Sequence, residues 1–476
     1  MTPRRKAIVL VSCCLSLLIV SMDATIVNVA IPSIRRDLSA TSAQMQWVVD
    51  IYTLVLASLL MLAGATGDRF GRRRVFQTGL ALFALGSLAC SLAPTIDALI
   101  GARFLQGIGG SMLNPVALSI ISQVFTTPVE RARALGIWGG ITGISLAAGP
   151  IVGGLLIETV GWRWVFWINL PICAAAIVLT AMFVPESRSA TMRNVDPVGQ
   201  GLAILFLFGI VFTLIEGPVL GWTNPRVVAV GVVAVLALVA FLGFESRRHD
   251  PFLDLRFFRS IPFSSATVNA VSAFAAWSAF LFIMSLYLQS GRGFSAMQTG
   301  LIYLPIAVGA LLFSPLSGRL VGRHSARPSL VVAGVTITAA ATMLTFLTAT
   351  TPVWWLLVIF AVFGIGFAMV NAPITNAAVS GMPLDRAGAA SAVTATSRQV
   401  GVSIGVALCG SLAGSAMAAG ATDFARAARP LWFVCIALGL VILGLGLFAT
   451  SRRALRSAER LAPLMSDAAG PVSGTR

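Results

Sequence analysis

The sequence predicts an all-α integral membrane protein with fourteen transmembrane helices: two six-helix pseudo-repeat halves plus an inserted two-helix hairpin. Three observations carry this: composition, the spacing of apolar runs and the sidedness of basic residues. Of 476 residues, 57% are hydrophobic and only 11% charged, and mean hydropathy is +0.91. A soluble domain carries about 25% charged residues, so this chain has too little polar surface to face water. Disorder, a secreted disulfide scaffold and an ordinary soluble enzyme are excluded. Runs of about 20 apolar residues fit helices, whereas barrel strands alternate over about 10.

Fourteen apolar runs follow one another: 8–30, 46–66, 75–93, 98–122, 133–157, 164–184, 199–216, 226–244, 262–288, 298–318, 329–349, 353–378, 387–415 and 430–449. The first follows Arg4, Arg5 and Lys6, as in a signal peptide. It holds Asp23 and more runs follow, so it reads as a retained first helix. An even number puts both termini on one side. With that side inside, inner segments carry 24 Lys and Arg and outer loops 7; Arg103 and Arg398 fall within runs. This is the positive-inside bias of a cell-membrane protein with cytoplasmic termini. It also explains the net charge of +16 without nucleic acid.

The second run ends in Gly64-Ala-Thr-Gly-Asp68-Arg69-Phe-Gly71-Arg72-Arg73-Arg74, and the tenth in Gly318-Arg-Leu-Val-Gly322-Arg323-His-Ser-Ala-Arg327, 254 residues on. The fourth holds Gly107-Ile-Gly-Gly-Ser-Met112-Leu-Asn114 and the twelfth Gly364-Ile-Gly-Phe-Ala-Met369-Val-Asn371, at offset 257. Glu130-Arg131 and Asp385-Arg386 match at offset 255. Three matches near one offset make runs 1–6 and 9–14 duplicated halves, and runs 7 and 8 an insertion. Such a duplication with a site between the halves is a transporter architecture. The expected divisions are 1–190, 191–258, 259–455 and a disordered cytoplasmic tail at 456–476.

Ionisable groups within the runs each need a reason. Asp23, Asp50 and Arg103 fall about 10, 6 and 8 Å from the outer end of their runs at 1.5 Å per residue. At such matched depth they form a candidate proton-coupling cluster. Two readings stand for Asp23 and Arg103, proton coupling or a static ion pair, and two for Asp50, coupling or snorkelling near the interface. Arg103, Gln106, Gly107, Gly110 and Asn114 share one helical face. That face packs through its glycines, with Arg103 and Gln106 turned to a cavity. Arg398 falls mid-membrane with no acid on its own helix and should face a cavity or a partner. Glu158 and Glu216, at outer ends, read as snorkelling surface groups. Phe274, Trp277, Phe280, Phe282 and Tyr287 on the ninth run line either a greasy pocket or a lipid face. All six cysteines lie in apolar runs, and His249 and His324 in charged loops, so no metal site, cofactor or nucleophile set is expected.

Several stretches resemble the major facilitator superfamily. Gly64-x-x-x-Asp68-Arg69-x-Gly71-Arg72-Arg73 is similar to its loop signature between helices 2 and 3. Arg103-x-x-Gln106-Gly107-x-Gly109 resembles its fourth-helix motif, and Gly149-Pro150-x-x-Gly153-Gly154 its antiporter motif. Asp23-Ala-Thr25-Ile-Val27-Asn28-Val-Ala-Ile-Pro32 and Trp162-Arg163-Trp164-Val-Phe-Trp-Ile-Asn169-Leu-Pro171 resemble the fourteen-helix drug/proton antiporters. The likeness runs from about residue 15 to 450. In the C-terminal copy of the loop signature, Gly322 stands in place of the Asp and Ser325 in place of the Gly. The resemblance implies gating by Asp68, Arg69, Gly71, Arg72, Gly149 and Pro150, with Asp68 capping a helix of the other half in one state and releasing it in the other. For Arg69 and Arg72 a purely topological anchor is the alternative, and for Gly149-Pro150 a passive bend. Asn28, Gln106, Asn114 and Arg398 are the candidate cavity residues. Trp47-x-x-Asp50-x-Tyr52 resembles branch members that export organic cations.

The expectation is therefore a non-enzymatic, proton-coupled exporter of small amphipathic, cation-leaning compounds, working as a monomer with substrate, protons and lipid as its partners. No GxxxxGK[ST] phosphate loop is present to suggest ATP drive. An exporter dedicated to one metabolite or antibiotic shares every motif. A nutrient importer and a membrane-embedded enzyme are the remaining alternatives.

Overall fold

The computed structural model describes residues 1–188, 196–248, 254–323, 325–379, 384–418 and 421–448, with 451, 454 and 457. Among them every regular element is helical. The expected tail, His249 and His324 lie outside the described residues, apart from Ser457.

The first group contains α1 (Pro3–Leu38), α2 (Ser42–Phe70), α3 (Arg72–Ser91), α4 (Ile96–Val124), α5 (Pro128–Thr159), α6 (Trp164–Trp167) and α7 (Asn169–Phe183). A hairpin of α8 (Pro197–Leu220) and α9 (Pro225–Arg247) follows. The second group contains α10 (Ile261–Leu286), α11 (Ala296–Ile302), α12 (Leu304–Arg323), α13 (Ala326–Leu344), α14 (Val353–Val379), α15 (Leu384–Ala418), α16 (Ala421–Ala427) and α17 (Arg429–Phe448).

Polar residues between the apolar runs start these helices. The side chains of Thr2, Thr95 and Thr127 cap α1, α4 and α5. Thr41 with Gln44, and Ser295 with Gln298, form capping boxes on α2 and α11. Each cap satisfies an amide that the first helical turn leaves without a partner, which matters most where water is scarce.

Among the described residues twelve helical stretches are long and apolar enough to cross a membrane, by length and composition. They include the continuous stretches Trp164–Phe183 and Ala296–Arg323, which the sequence presents as single runs and the structure divides at Ile168 and Tyr303. Of the fourteen expected runs, the fifth and thirteenth are not among the twelve. They form α5 and α15, helices whose side chains are only partly among the described residues; within α5 the described stretch Ala148–Thr159 is apolar.

Packing partners recur between the groups. α1 packs on α5 as α10 does on α15, α2 on α4 as α12 on α14, and α3 on α4 as α13 on α14. The hairpin leans on both groups, through α2 and α15. There Trp47 Nε1 donates to Glu216 Oε1 at 2.9 Å, and Gln200 Nε2 donates to the Ser58 carbonyl. Glu216 is thus a partner within the protein, not the snorkelling group expected of it.

The ninth-run aromatics do not form a lipid face. Trp277, Phe280, Phe282 and Tyr287 are buried in a core shared with α14 and α17. Phe280 stacks on Phe363 with ring centroids 4.3 Å apart, and Trp277 stacks on Phe367 at 4.2 Å.

A candidate coupling and gating site

Asp23 is reached by side chains from two other helices, α4 and α7. It is fully buried and Arg103 is 1% exposed. Arg103 Nη1 donates to Asp23 Oδ2 and, at 2.6 Å, to Gln106 Oε1, while its Nε donates to the Val48 carbonyl at 3.0 Å. Gln106 Nε2 donates to Asp23 Oδ1 at 2.9 Å and to Ser87 Oγ at 2.8 Å. Asn169, at the start of α7, also donates to Asp23 Oδ1 and to Ser87. The Tyr52 ring covers the guanidinium, 4.2 Å from its centroid to Cζ. A buried charge pair is tolerable only when its remaining donors and lone pairs are also satisfied; here carbonyl, amide and hydroxyl partners complete it.

This corrects one expectation. Arg103 and Gln106 do not face a cavity in this conformation; they point into the first group. The glycines of α4 do pack as expected. A Cβ on Gly107 would lie 3.0 Å from the Tyr52 carbonyl, and one on Gly109 2.3 Å from the Phe83 amide. Gly107 therefore admits α2 and Gly109 admits α3.

Asp50 lies elsewhere, in the contact between α2 and α15. It is fully buried, and neither carboxylate oxygen has a hydrogen-bond partner. One turn along α2, Thr53 Oγ1 meets Ser403 Oγ of α15 at 3.0 Å. One turn the other way, Gln46 Nε2 donates to the Val406 carbonyl at 2.9 Å. The sequence leaves Asp50 between coupling and snorkelling near the interface; in the structure it is sealed in a closed contact and does not snorkel.

The same side of the molecule is closed at two further crossings. Ser285 Oγ and Gln289 Nε2 donate to the carbonyls of Asn28 and Val29 at 2.6 and 2.9 Å. Glu158, exposed at the helix end, accepts from Ser295 Oγ at 3.0 Å and from the Met297 amide at 3.3 Å, so this surface acid also joins α5 to α11. Gly149 and Gly153 of α5 admit α1: a Cβ on Gly149 would lie 2.0 Å from Thr25 Oγ1. Gly154 admits the second group, where a Cβ would lie 2.5 Å from the Ala296 carbonyl. Pro150, buried beside Gly149, presents its carbonyl to Gly300 of α11. Above these crossings a cavity of about 880 Å³ opens between the groups, lined by Arg35, Arg36, Glu158 and Gln289 among others.

The crossings lie at α2 residues 46 and 53, far from Asp68 at the other end of that helix. At that end Asp68 is held inside its own group, where Arg72 Nη2 donates to Oδ1 at 2.8 Å. Arg72 also reaches Gln123. Gly71 takes φ +111°, and a Cβ there would lie 2.5 Å from Glu186 Oε1. Glu186 also accepts from the Arg73 amide and lies 3.6 Å from Arg74. Arg69 covers the Phe70 ring. In the C-terminal copy Ser325 is extended, with φ −179°, and caps α13, while Gly318 and Gly322 have open space where a Cβ would stand.

The other predicted cavity residues are dispersed. Asn28 is buried at the α1–α10 crossing with a spare Oδ1, and Asn114 keeps a buried Oδ1 without a partner. Arg398 Nη2 donates to Thr375 Oγ1 of α14 at 2.7 Å. Sequence reasoning passed over Ser87, Asn169, Glu186 and Ser403 as site residues. Asn169 stood in a quoted motif; the other three carried no signal.

The Major Facilitator Superfamily model matches residues 13–406. The chain belongs to the major facilitator superfamily. Among its relatives is the multidrug resistance protein Stp of Mycobacterium tuberculosis (strain CDC 1551 / Oshkosh), 36% identical over 409 residues, covering 86% of this chain and 76% of that protein. The tetracenomycin C resistance and export protein of Streptomyces glaucescens is 36% identical over 408 residues, covering 85% and 76%. The multidrug efflux pump LfrA of Mycolicibacterium smegmatis is 32% identical over 412 residues, covering 86% and 81%. In fold the superfamily chain matches a bacterial homolog of the human lysosomal transporter Spinster, with TM-score 0.62, 17% identity and 98% of both chains covered. These relatives are transport proteins, not enzymes.

Proposed function

We propose that this superfamily member is a proton-driven antiporter that exports small amphipathic compounds by alternating access. In this reading α5 and α15 join the twelve apolar stretches to give fourteen spans. The halves are 1–190 and 259–455, the hairpin is 191–258, and 456–476 is a tail. Both termini face the cytoplasm, the chain works as a monomer, and the sealed side is the outer one. Asp23 with Arg103 is the proton site, Asp50 a second, and Asp68 with the α5 glycines forms the gates.

The observation that carries this reading is the Asp23–Arg103 pair, buried and hydrogen-bonded in one half beside a sealed contact between the halves at α2 and α15. A dehydrated carboxylate held by a movable guanidinium can take a proton when the helices shift, and alternating access supplies the shift. The names of the relatives support export of toxic compounds. Some name a single antibiotic, such as methylenomycin A or puromycin, which keeps a dedicated exporter as the second reading. The test is efflux from vesicles under an imposed pH gradient, across a panel of toxic compounds. Uphill movement of several compounds that stops with Asp23→Asn supports the first reading. Movement of one compound alone supports the second, and no gradient dependence overturns the coupling.

A further inference from the structure

We propose that Arg398 anchors an anionic oxygen group, a carboxylate or phenolate, borne on an aromatic ring. This names a substrate class for the transport reading above and rests on it.

Arg398 sits on α15 about 7 Å along the helix from Ser403, at 1.5 Å per residue, toward the end of α15 away from the crossings at Gln46 and Glu158. It is half-buried, and Thr375, to which it donates, is exposed. Among the described residues no carboxylate lies within ion-pair distance of it, and its Nε is buried without a hydrogen-bond partner. Arg103 shows the contrast, because one hydrogen bond to a carboxylate and two to neutral oxygens complete it. Asp23 is committed to Arg103, and Asp50, buried in the α2–α15 contact, makes no ion pair with Arg398. Arg398 therefore offers an unmatched positive charge and an unused N–H. A guanidinium edge binds two oxygens of one anion side by side, and one carboxylate satisfies both needs.

The surroundings supply the second half of the ligand. The Phe274 ring lies 5.8 Å from the guanidinium and meets Phe367 edge-on, with centroids 5.1 Å apart. Phe367 in turn stacks on Trp277. From there a narrow apolar cleft reaches Pro150 of the first group. A ring carrying an acidic group can lay its charge on Arg398 and pack against Phe274, the half-buried outer ring of this aromatic cluster.

The test is binding to the purified full-length protein in lipid nanodiscs, with empty nanodiscs as the blank. The probes are 2-naphthoate, its methyl ester and 2-(trimethylammonio)naphthalene. Wild type should bind the carboxylate at least tenfold more tightly than the other two. Arg398→Gln should bring the carboxylate down to the level of the ester while leaving ester and cation unchanged, and Arg398→Lys should recover part of the difference. A wild type that ranks the three equally, or prefers the cation, overturns the proposal. So does an equal loss of all three in Arg398→Gln, which marks a structural role. Should that variant fail to fold, the wild-type ranking and Arg398→Lys still decide. Binding needs no gradient. Naphthoate binding without gradient-driven efflux sinks the transport reading alone, whereas driven efflux of the cation without naphthoate binding sinks this one alone.

Discussion

Thr53 of α2 and Ser403 of α15 meet hydroxyl to hydroxyl at 3.0 Å, one turn from the partnerless carboxylate of Asp50. The contact between the two helix groups is thus stitched by neutral hydrogen bonds around a buried acid. A buried polar group without a partner costs about 1–3 kcal/mol, a cost this acid bears only while the contact is closed.

Asp50→Asn should therefore leave the closed conformation as stable or more stable, and slow the cycle by favouring it. Cysteines placed at Gln46 and Val406 report closure through their cross-linking yield. A yield that rises with Asp50→Asn while turnover falls fits this account. An unchanged yield with unchanged turnover makes Asp50 a passive core residue.

The Asp23–Arg103 pair predicts two different outcomes. Asp23→Asn keeps a similar shape and should fold while losing uphill efflux. Arg103→Ala leaves the carboxylate buried without its counter-charge, which costs about 3–5 kcal/mol. Thermal unfolding in detergent should then fall far more for Arg103→Ala than for Asp23→Asn. Equal unfolding temperatures would mean that water reaches Asp23 in the resting protein.

The glycines of α5 separate two roles. Gly149→Ala pushes into Thr25 within one group and should destabilise the protein by about 1–3 kcal/mol, the usual range for overpacking. Gly154→Ala pushes into the Ala296 carbonyl of the other group and should lower the 46–406 cross-link with a smaller effect on unfolding. Gly318→Ala, with open space around it, should change neither. If all three behave alike, the close crossings do not set the conformational balance.

Asp68→Asn weakens the Arg72 hydrogen bonds on the gating loop and should reduce turnover at least tenfold, measured as initial efflux rate. Gly322→Asp, at the degenerate copy, should change it by less than twofold. Similar mild effects at both positions would reduce the loop signature to a topological anchor.

Much of the architecture was legible because lipid demands long apolar helices. One residue pairing was legible as well, Asp23 with Arg103 from matched depth, and so was packing through the α4 glycines. What depends on conformation was not. Depth along a helix places Asp50 near one face of the membrane, but its neighbour across the gap comes from a helix more than 300 residues later. Ser403 and Thr53 give no warning, since hydroxyls in apolar helices usually bond to their own backbone. The partners of Glu158 and Glu216, the Met297 amide and the Trp47 indole, were hidden as well, because they belong to other helices.

The two copies of the loop signature also differ in what they can carry. Gly71 holds a backbone shape that L side chains rarely adopt, with a carboxylate packed against it, whereas Ser325 is ordinary extended chain preceded by glycines in open space. A fluorescent reporter or affinity handle spliced after Arg323 therefore meets no packed neighbour at Gly318 or Gly322, while the same insertion at Gly71 dislodges Glu186. Labelling schemes that follow the motion of this protein have one permissive loop to build on, and it is the copy that has lost the signature.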